Sequence, residues 1–154
     1  MITSEAQQED IASILDLQKK CYQQEAGIYH DFQIQPLTQT LDSIIADFGR
    51  QVYLKIQWED KIIGSVRGYA DKGTCHIGRL VVHPDFQNRG LGQQLMNAIE
   101  ERFPEVARYE LFTGHRSLKN LGLYQKLGYT EFRRAQINSK LKLVFLEKIN
   151  SRKS

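Results

Sequence analysis

Six consecutive residues that include two glycines could bind a phosphate group. They are Gln87, Asn88, Arg89, Gly90, Leu91 and Gly92. An order of strand, glycine-containing turn and helix leaves the first helical amides without acceptors, and the helix dipole adds positive charge there. Gly90 and Gly92 would let a phosphate approach the backbone without meeting a Cβ atom. The pattern predicts a phosphorylated ligand, although glycines that only cap and pack a strand–helix connection produce the same spacing.

The composition of the whole chain is that of one globular domain over residues 1–154. The chain is 41% hydrophobic and 25% charged, and its net charge of +3 suits a small anionic ligand rather than nucleic acid. Cys21 and Cys75 are far apart, which argues against a disulfide or zinc site and fits a reducing cytoplasm. The acidic start is unlike a signal peptide, and no apolar run approaches the ~18 residues of a membrane span.

Apolar residues spaced three and four apart predict four helices. We expect them at about residues 9–24, 41–48, 91–103 and 118–127. Residues 27–36 are expected to form a loop between the first two helices. Thr38 or Thr40 could cap the second helix, because a threonine hydroxyl can accept a hydrogen bond from a free amide of the first turn.

Alternating or continuous apolar runs predict six strands. We expect them at about residues 52–56, 62–66, 74–82, 109–113, 129–133 and 141–146. The first two flank Glu59, Asp60 and Lys61, which we interpret as a hairpin turn. The order of elements is two helices, an antiparallel meander, a crossover helix, a strand, a helix and a hairpin. This order predicts an α/β fold with a mixed, largely antiparallel central sheet flanked by helices.

Three segments resemble the GCN5-related N-acetyltransferase (GNAT) superfamily. They are residues 79–92, residues 109–113 and residues 120–129. Their order and spacing match the superfamily, and so does the order of the elements from end to end. The resemblance is specific for the superfamily and not for a subfamily, because members with different acceptors share these segments.

The resemblance implies acetyl-CoA as the acetyl donor. The amides of residues 87–92 would bind the CoA pyrophosphate. The pantetheine arm would pair like an added strand with Leu80, Val81 and Val82, whose free N–H and C=O groups an amide-containing arm can satisfy. Asn120 matches the residue of the superfamily that contacts the arm. Lys126 would contact a phosphate, with an exposed helix lysine as the alternative interpretation.

The resemblance also assigns the proton transfers. Tyr124 matches the tyrosine that protonates the departing CoA thiolate, and a phenol with a pKa near ~10 is protonated at neutral pH. Some members carry a catalytic glutamate on the strand before the turn, and the matching position here is His76, or Gly78 in another register. Imidazole, with a pKa near ~6.5, could take the proton of the amine, with a chain of water molecules as the alternative. Backbone amides near Val82 could stabilise a developing oxyanion.

The acceptor is less defined by the sequence than the donor. In this fold the loop between the first two helices borders the acceptor site, so we expect contacts from Tyr29, His30, Asp31 and Phe32, with a plain solvent loop as the alternative. Glu110 could hold a cationic amine or pair with a lysine across the strands. Positive charge on the last hairpin favours an anionic or zwitterionic amine over a polycation. This charge is carried by Arg133, Arg134, Lys140 and Lys142.

The sequence therefore predicts transfer of an acetyl group from acetyl-CoA to a primary amine, on a small molecule or a peptide. One alternative is a non-catalytic CoA-binding regulatory module, which would need no tyrosine at position 124. Others are an acyltransferase with a bulkier acyl-CoA and an enzyme that acts on protein N-termini. No metal, nucleic acid or membrane partner is expected, and an exposed edge strand could pair to form a homodimer.

Overall fold

A seven-stranded sheet forms the centre of the computed structural model, which describes residues 1–152. Its strands are β1 (Thr3–Glu5), β2 (Val52–Trp58), β3 (Lys61–Asp71), β4 (Thr74–Val82), β5 (Arg108–Gly114), β6 (Thr130–Gln136) and β7 (Lys142–Ile149). In space the order is β1-β2-β3-β4-β5-β7-β6, and each neighbouring pair is antiparallel except β4 and β5. The expected mixed, largely antiparallel sheet is confirmed.

Helices pack on both faces of this sheet. They are α1 (Ile11–Tyr29), α2 (Gln35–Thr38), α3 (Leu41–Phe48), α4 (Leu91–Glu101) and α5 (Leu118–Lys126). Tyr53 and Leu54 are consecutive residues of β2, so their side chains point to opposite faces. Tyr53 packs with Ile14 of α1 and Ile44 of α3, whereas Leu54 packs with Leu95 of α4. The two buried clusters hold the helices against the sheet mainly by removing apolar surface from water.

The first helix is longer than the sequence predicted. It ends at Tyr29 rather than near Gln24, so residues 27–29, which we expected in a loop, are helical. His30 follows in the left-handed conformation, with φ of 49°, and ends the helix. Because Ala26 and Tyr29 are buried, their packing compensates for the low helix propensity of the glycine between them.

Other boundaries differ from the expectation as well: β2, β6 and β7 extend two or three residues further, and α2 begins at Gln35, inside the expected loop. Residues 3–5 form β1, an unexpected edge strand in which Thr3 pairs with Ile56, because three residues are too few for an alternating pattern to be visible. Strand β3 continues past residue 66 to Asp71, where it still pairs with Thr74. Helix α4 ends at Glu101 rather than near residue 103, because the last amides bond three residues back instead of four.

The parallel strands β4 and β5 separate along their length. They pair only where residues 74–76 face residues 108–110. Beyond His76, β4 stays paired with β3 as far as Val82, but its other edge has no strand partner among the described residues. Strand β5 pairs with β7 over its whole length. The separation leaves an open strand edge in the middle of the sheet.

No helix in residues 1–152 combines the length and the apolar character that crossing a membrane requires. Within the same residues, no group of three or more His, Cys, Asp or Glu side chains lies close enough together to hold a metal ion. Cys21 and Cys75 are both free thiols.

Candidate active site

A groove of about 480 Å³ lies among α1, the open edge of β4, the turn before α4, and α5. Its walls are formed by Cys21, Tyr22, Gln24, Glu25, Leu80, Val81, Val82, Phe86, Gln87, Asn88, Gly90, Leu91, Gly92, Gln93, Lys119, Asn120, Leu123 and Lys126. Of the residues predicted to bind the cofactor, only Arg89 is outside this set. Its guanidinium group instead lies over the Phe86 ring, 5.4 Å from the centroid.

The open edge of β4 forms one wall of the groove. Leu80, Val81 and Val82 lie beyond the last residue that pairs with β5, so this edge of their backbone has no strand partner in the described chain. The Val82 carbonyl is the exception in its hydrogen bonding, because it accepts from the Cys21 thiol at 3.3 Å and from Gln87 Nε2 at 3.0 Å. An extended chain with amide groups could pair with the rest of this edge.

The turn at the end of the groove presents the N-terminus of α4. Asn88 and Gly90 adopt left-handed conformations, with φ of 63° and 80°, and Gly90 is the N-cap residue. The amide of Gln94 makes the first helical hydrogen bond, to the Gly90 carbonyl at 3.0 Å. The amides before it therefore have no helical acceptor, and the helix dipole favours an anion at this end. This geometry suits the phosphate group that the sequence predicts.

Helix α5 supplies polar and cationic groups to the opposite wall. Asn120 lines the groove and donates from Nδ2 to Thr113 Oγ1 at 3.4 Å. Lys126 lines it as well. Lys119, which the sequence analysis did not select, reaches the turn and donates to Gln87 Oε1 at 3.0 Å. The two lysines place positive charge on the wall that faces the turn.

Tyr124 lies on α5, one helical turn after Asn120. It is not among the residues that line the groove, but two that are, Tyr22 and Glu25, are close enough to influence its hydroxyl. Tyr124 is 6% exposed, and its ring centroid is 6.1 Å from that of Tyr129. Burial raises the pKa of the Tyr124 hydroxyl, and the nearby Tyr22 and Glu25 raise it further. Because the pKa lies above its ordinary value, the hydroxyl keeps its proton at neutral pH.

The hydroxyl of Tyr124 differs from those of the tyrosines that build the core. Tyr109 donates to the backbone carbonyls of Glu100 and Phe103, at 3.1 and 2.9 Å. Tyr129 donates to the Glu100 carboxylate at 2.9 Å. Within residues 1–152, no group forms a hydrogen bond with the Tyr124 hydroxyl, whose pKa is shifted by burial and charges alone. The hydroxyl proton of Tyr124 is therefore not used in a hydrogen bond to another residue of the described chain.

The sequence analysis did not predict that residues of α1 form one wall of the groove. Cys21, Tyr22 and Glu25 all line the groove. Burial raises the pKa of the Cys21 thiol to about 11, so the thiol is neutral. Glu25 accepts a hydrogen bond from the Ser117 hydroxyl, which orients its carboxylate. The signal in the sequence was their spacing of three and four residues, which places them on one helix face.

His76 lies outside the groove, where β4 and β5 are still paired. Its ring stacks on Tyr69 with 5.0 Å between centroids, and its Nδ1 is 3.9 Å from Glu110 Oε2. Arg108 forms an ion pair with the other oxygen of Glu110 at 2.9 Å. The proposed base and the proposed acceptor contact are thus neighbours, but neither lines the groove. The roles of His76 and Glu110 stay predictions.

The other predicted acceptor contacts lie where α1 ends, next to the β6–β7 hairpin. Tyr29 is buried, and its hydroxyl accepts a hydrogen bond from the Arg116 amide at 2.9 Å. The His30 carbonyl accepts from Lys140 Nζ at 2.9 Å. Phe32 is exposed. The structure brings this segment into contact with the positively charged hairpin, and its acceptor role stays a prediction.

Comparison with known proteins supplies the family. The family model described as Acetyltransferase (GNAT) family matches residues 11–129. The catalytic subunit NAA20 of the N-terminal acetyltransferase B complex of Arabidopsis thaliana is 28% identical over 76 residues, which are 47% of this chain and 44% of that protein. The match thus spans less than half the length of this curated relative.

Solved structures share the fold at low sequence identity. The ribosomal-protein-S18-alanine N-acetyltransferase of Escherichia coli has a TM-score of 0.79 at 14% identity, covering 97% of this chain and 94% of that chain. The acetyltransferase yncA of Salmonella typhimurium, solved with its cofactor acetyl-CoA, has a TM-score of 0.77 at 18% identity, covering 98% and 94%. At these identities the likeness shows the common fold alone.

The family match covers each element that builds the groove, from α1 through β4 and α4 to α5. It also includes Tyr124 and the turn at residues 87–92. Because the match spans residues 11–129, most of the 154-residue chain, this protein belongs to the GNAT family of acetyltransferases.

Proposed function

We propose that this protein transfers the acetyl group of acetyl-CoA to a primary amine. The observation that supports the proposal is the groove, in which an open strand edge runs from a glycine turn towards Tyr22 and Glu25, two groove residues whose charges act on the buried Tyr124. A module that only bound CoA would need the turn and the strand edge. It would not need a nearby tyrosine whose hydroxyl forms no hydrogen bond with the described residues.

The residues of the groove fit the donor. The free amides after Gly90 suit a pyrophosphate, and a Cβ at this position would meet no atom of the protein within 4 Å, so a ligand can approach. Leu80 and Val81 offer an unpaired strand edge to the pantetheine arm, and Asn120 faces it. Lys126 adds a cation for a phosphate. Acetyl-CoA supplies the acetyl group as a thioester.

Tyr124 is proposed as the general acid. A leaving thiolate needs a proton, and the Tyr124 hydroxyl holds one because burial raises its pKa. Tyr124 is one turn after Asn120 on α5, and the groove residues Tyr22 and Glu25 influence its hydroxyl.

Glu25 is proposed as the group that takes the proton from the amine. Glu25 lines the groove, and its negative charge raises the pKa of the Tyr124 hydroxyl. A free primary amine has a pKa near ~10.4 and is protonated at neutral pH, so a carboxylate can first hold the ammonium and then accept its proton, directly or through water. His76 was predicted for this role from the family pattern, but it is paired with Glu110 outside the groove.

A protein N-terminus is the second candidate for the acceptor. Two of the similar proteins, the Arabidopsis N-terminal acetyltransferase subunit and the Escherichia coli S18-alanine enzyme, are named for such acceptors. The low identity and partial coverage leave this as a candidate beside small amines. The single domain, the cytoplasmic location and the homodimer are likewise predictions.

A CoA-release assay with acetyl-CoA tests the proposed function. The panel contains amino acids, diamines, small neutral amines and a peptide with a free N-terminus, and propionyl-CoA replaces acetyl-CoA in a parallel series. We expect at least one class of amine to raise CoA release tenfold or more above hydrolysis. If no amine raises it while CoA still binds, the protein is a non-catalytic CoA-binding module. Faster turnover with propionyl-CoA would assign a bulkier donor.

A further inference from the structure

Arg79 has a strained backbone in the middle of a strand. Its φ is 51°, in the left-handed region that only glycine adopts at no cost. The register of β3 and β4 shifts there, because Arg67 pairs with Gly78 whereas Ser65 pairs with Val81. Such a bulge re-aims the side chain of the extra residue. A strained arginine where a glycine would be free of strain calls for a functional explanation.

The side chain of Arg79 has an unmet polar group. Its Nη1 is buried and has no hydrogen-bond partner among residues 1–152, although the side chain as a whole is only partly buried. Burial lowers the pKa of the Arg79 guanidinium. Buried cations in proteins are normally paired with an anion, because leaving water without compensation is unfavourable.

The charged groups around Arg79 leave an excess of positive charge. The guanidinium of Arg67 acts on Arg79, donates to the Tyr53 hydroxyl at 2.6 Å and lies 3.4 Å from Asp47. Asp47 is also paired with Arg50 at 3.2 Å. The one nearby carboxylate is therefore shared by two other arginines, and no described carboxylate is within ion-pair distance of Arg79.

Arg79 is not itself a groove residue, but it adjoins two residues that are, Leu80 and Tyr22. It directly precedes Leu80, at the end of the open strand edge away from the phosphate turn. Tyr22 connects it to the groove, because Tyr22 lines the groove and the charge of Arg79 acts on its hydroxyl, opposing the larger effect of burial on the pKa. Glu25, on the next turn of α1, lines the same wall.

We propose that Arg79 binds a carboxylate of the acceptor, so that the preferred acceptors are small amines that carry a carboxylate near the amine, such as amino acids. This inference rests on the proposed function and specifies its substrate class. A guanidinium matches a carboxylate with two parallel hydrogen bonds, and burial strengthens both. Glu25 and Arg79 would then hold opposite ends of a zwitterion. Diamines, and peptide N-termini whose neighbouring carboxyl is an amide, would lack the second contact.

Matched acceptor pairs test this inference. CoA release is measured with β-alanine against β-alaninamide and with phenylalanine against phenylalaninamide, for the wild type, Arg79→Gln and Arg102→Gln. Arg102 follows α4 and serves as the control, because its guanidinium already pairs with the Glu5 carboxylate at 3.1 Å. The α-amino group of an amide titrates near ~8, below that of the free amino acid, so amine chemistry alone favours the amides.

We expect the wild type and Arg102→Gln to prefer a carboxylate acceptor at least tenfold in kcat/KM. In Arg79→Gln, kcat/KM for the carboxylate acceptor and for its amide should differ by no more than about threefold. Equal use of both members of every pair by the wild type, or an unchanged ratio in Arg79→Gln, overturns the inference while the proposed function stands.

A second readout does not depend on turnover. Ligand-observed NMR compares binding of N-acetyl-β-alanine and N-acetyl-β-alaninamide to the CoA-loaded wild type and Arg79→Gln proteins. We expect the wild type alone to bind the acid more tightly than the amide. If no amine stimulates CoA release, the proposed function fails, and the carboxylate site is still decided by this binding experiment. Equal binding of acid and amide by the wild type would then refute the site.

Discussion

The Ser117 hydroxyl donates a hydrogen bond to the Glu25 carboxylate and so joins the start of α5 to the first helix. Because Ser117 has given its only proton to Glu25, the Tyr29 hydroxyl donates to Ser117, at 2.8 Å. The Arg116 amide donates to Tyr29 in turn, at 2.9 Å. All the donors in this series point towards the carboxylate, which fixes Glu25 at the wall of the groove.

Replacing Glu25 with glutamine should remove its negative charge while keeping the hydrogen bond from Ser117. A glutamine carbonyl can still accept from Ser117, but it cannot take a proton. We expect Glu25→Gln to lower kcat/KM for the best amine about a hundredfold, within the usual range for a general base, and to change the acidic limb of the pH–rate profile. The control is Glu101→Gln, an exposed residue of α4 outside the groove. A wild-type profile for Glu25→Gln would exclude the base role.

Removing the hydroxyl of Tyr124 tests the general acid. Tyr124→Phe keeps the buried ring against Tyr129 but has no proton to give. We expect turnover to fall by a factor of about 10² or more, the typical contribution of a general acid, while the Kd for CoA stays within about twofold. Tyr69→Phe is the control, because Tyr69 is an exposed residue of β3, a strand that contributes no residue to the groove. Equal turnover of both variants would show that Tyr124 only packs the helix.

The sequence predicted the donor half of the site better than the acceptor half, and chain distance explains the difference. The phosphate turn follows β4 directly, so its geometry is local and periodicity reveals it. Glu25 and Ser117 are 92 residues apart and meet only because α1 crosses the opening between β4 and β5. The strain of Arg79 depends on a bulge, which an apolar pattern does not show. His76 was assigned by counting back along β4 from the turn, as in the family pattern. That count does not reveal that β4 and β5 are still paired at His76.

Two glycines with the same backbone conformation provide a matched test of the turn. Gly90 has φ of 80° and Gly73 has φ of 81°, and a Cβ on either would meet no atom within 4 Å. Alanine at either position should therefore cost about the same, roughly 1 kcal/mol of stability, for the left-handed conformation. Only Gly90→Ala should weaken CoA binding, because only its Cβ would face the phosphate groups.

Urea unfolding and calorimetric titration with CoA measure the two effects separately. We expect similar losses of stability in the two variants. The Kd for CoA should rise tenfold or more in Gly90→Ala alone, because Gly73 lies in the β3–β4 turn, outside the groove. An unchanged Kd in Gly90→Ala would mean that the turn only caps α4.

A second pair of glycines tests the contact that supports Glu25. A Cβ on Gly114 would collide with the Tyr29 hydroxyl and ring, whereas one on Gly122 would meet nothing within 4 Å. We expect Gly114→Ala to cost about 2 kcal/mol or more, as overpacking of a buried site does. Gly122→Ala, in an exposed position of α5, should stabilise the protein by about 0.5–1 kcal/mol. Equal midpoints of urea unfolding for the two variants would show that Tyr29 is free to move.

His83, at the end of β4, should make stability depend on pH. It is buried, its Nδ1 accepts from the Asp85 amide at 3.1 Å, and its Nε2 has no partner in residues 1–152. Burial, with the charges of Lys61 and Lys20, lowers the pKa of His83. On acidification the unfolded chain therefore binds the proton first, so stability falls as the pH drops below about 6.5. We measure the free energy of unfolding with urea at pH 7.5 and 5.5. Between these values we expect it to fall by about 1 kcal/mol more in the wild type than in His83→Asn. His30→Asn is the control and should behave like the wild type. Equal losses in all three proteins would contradict this assignment.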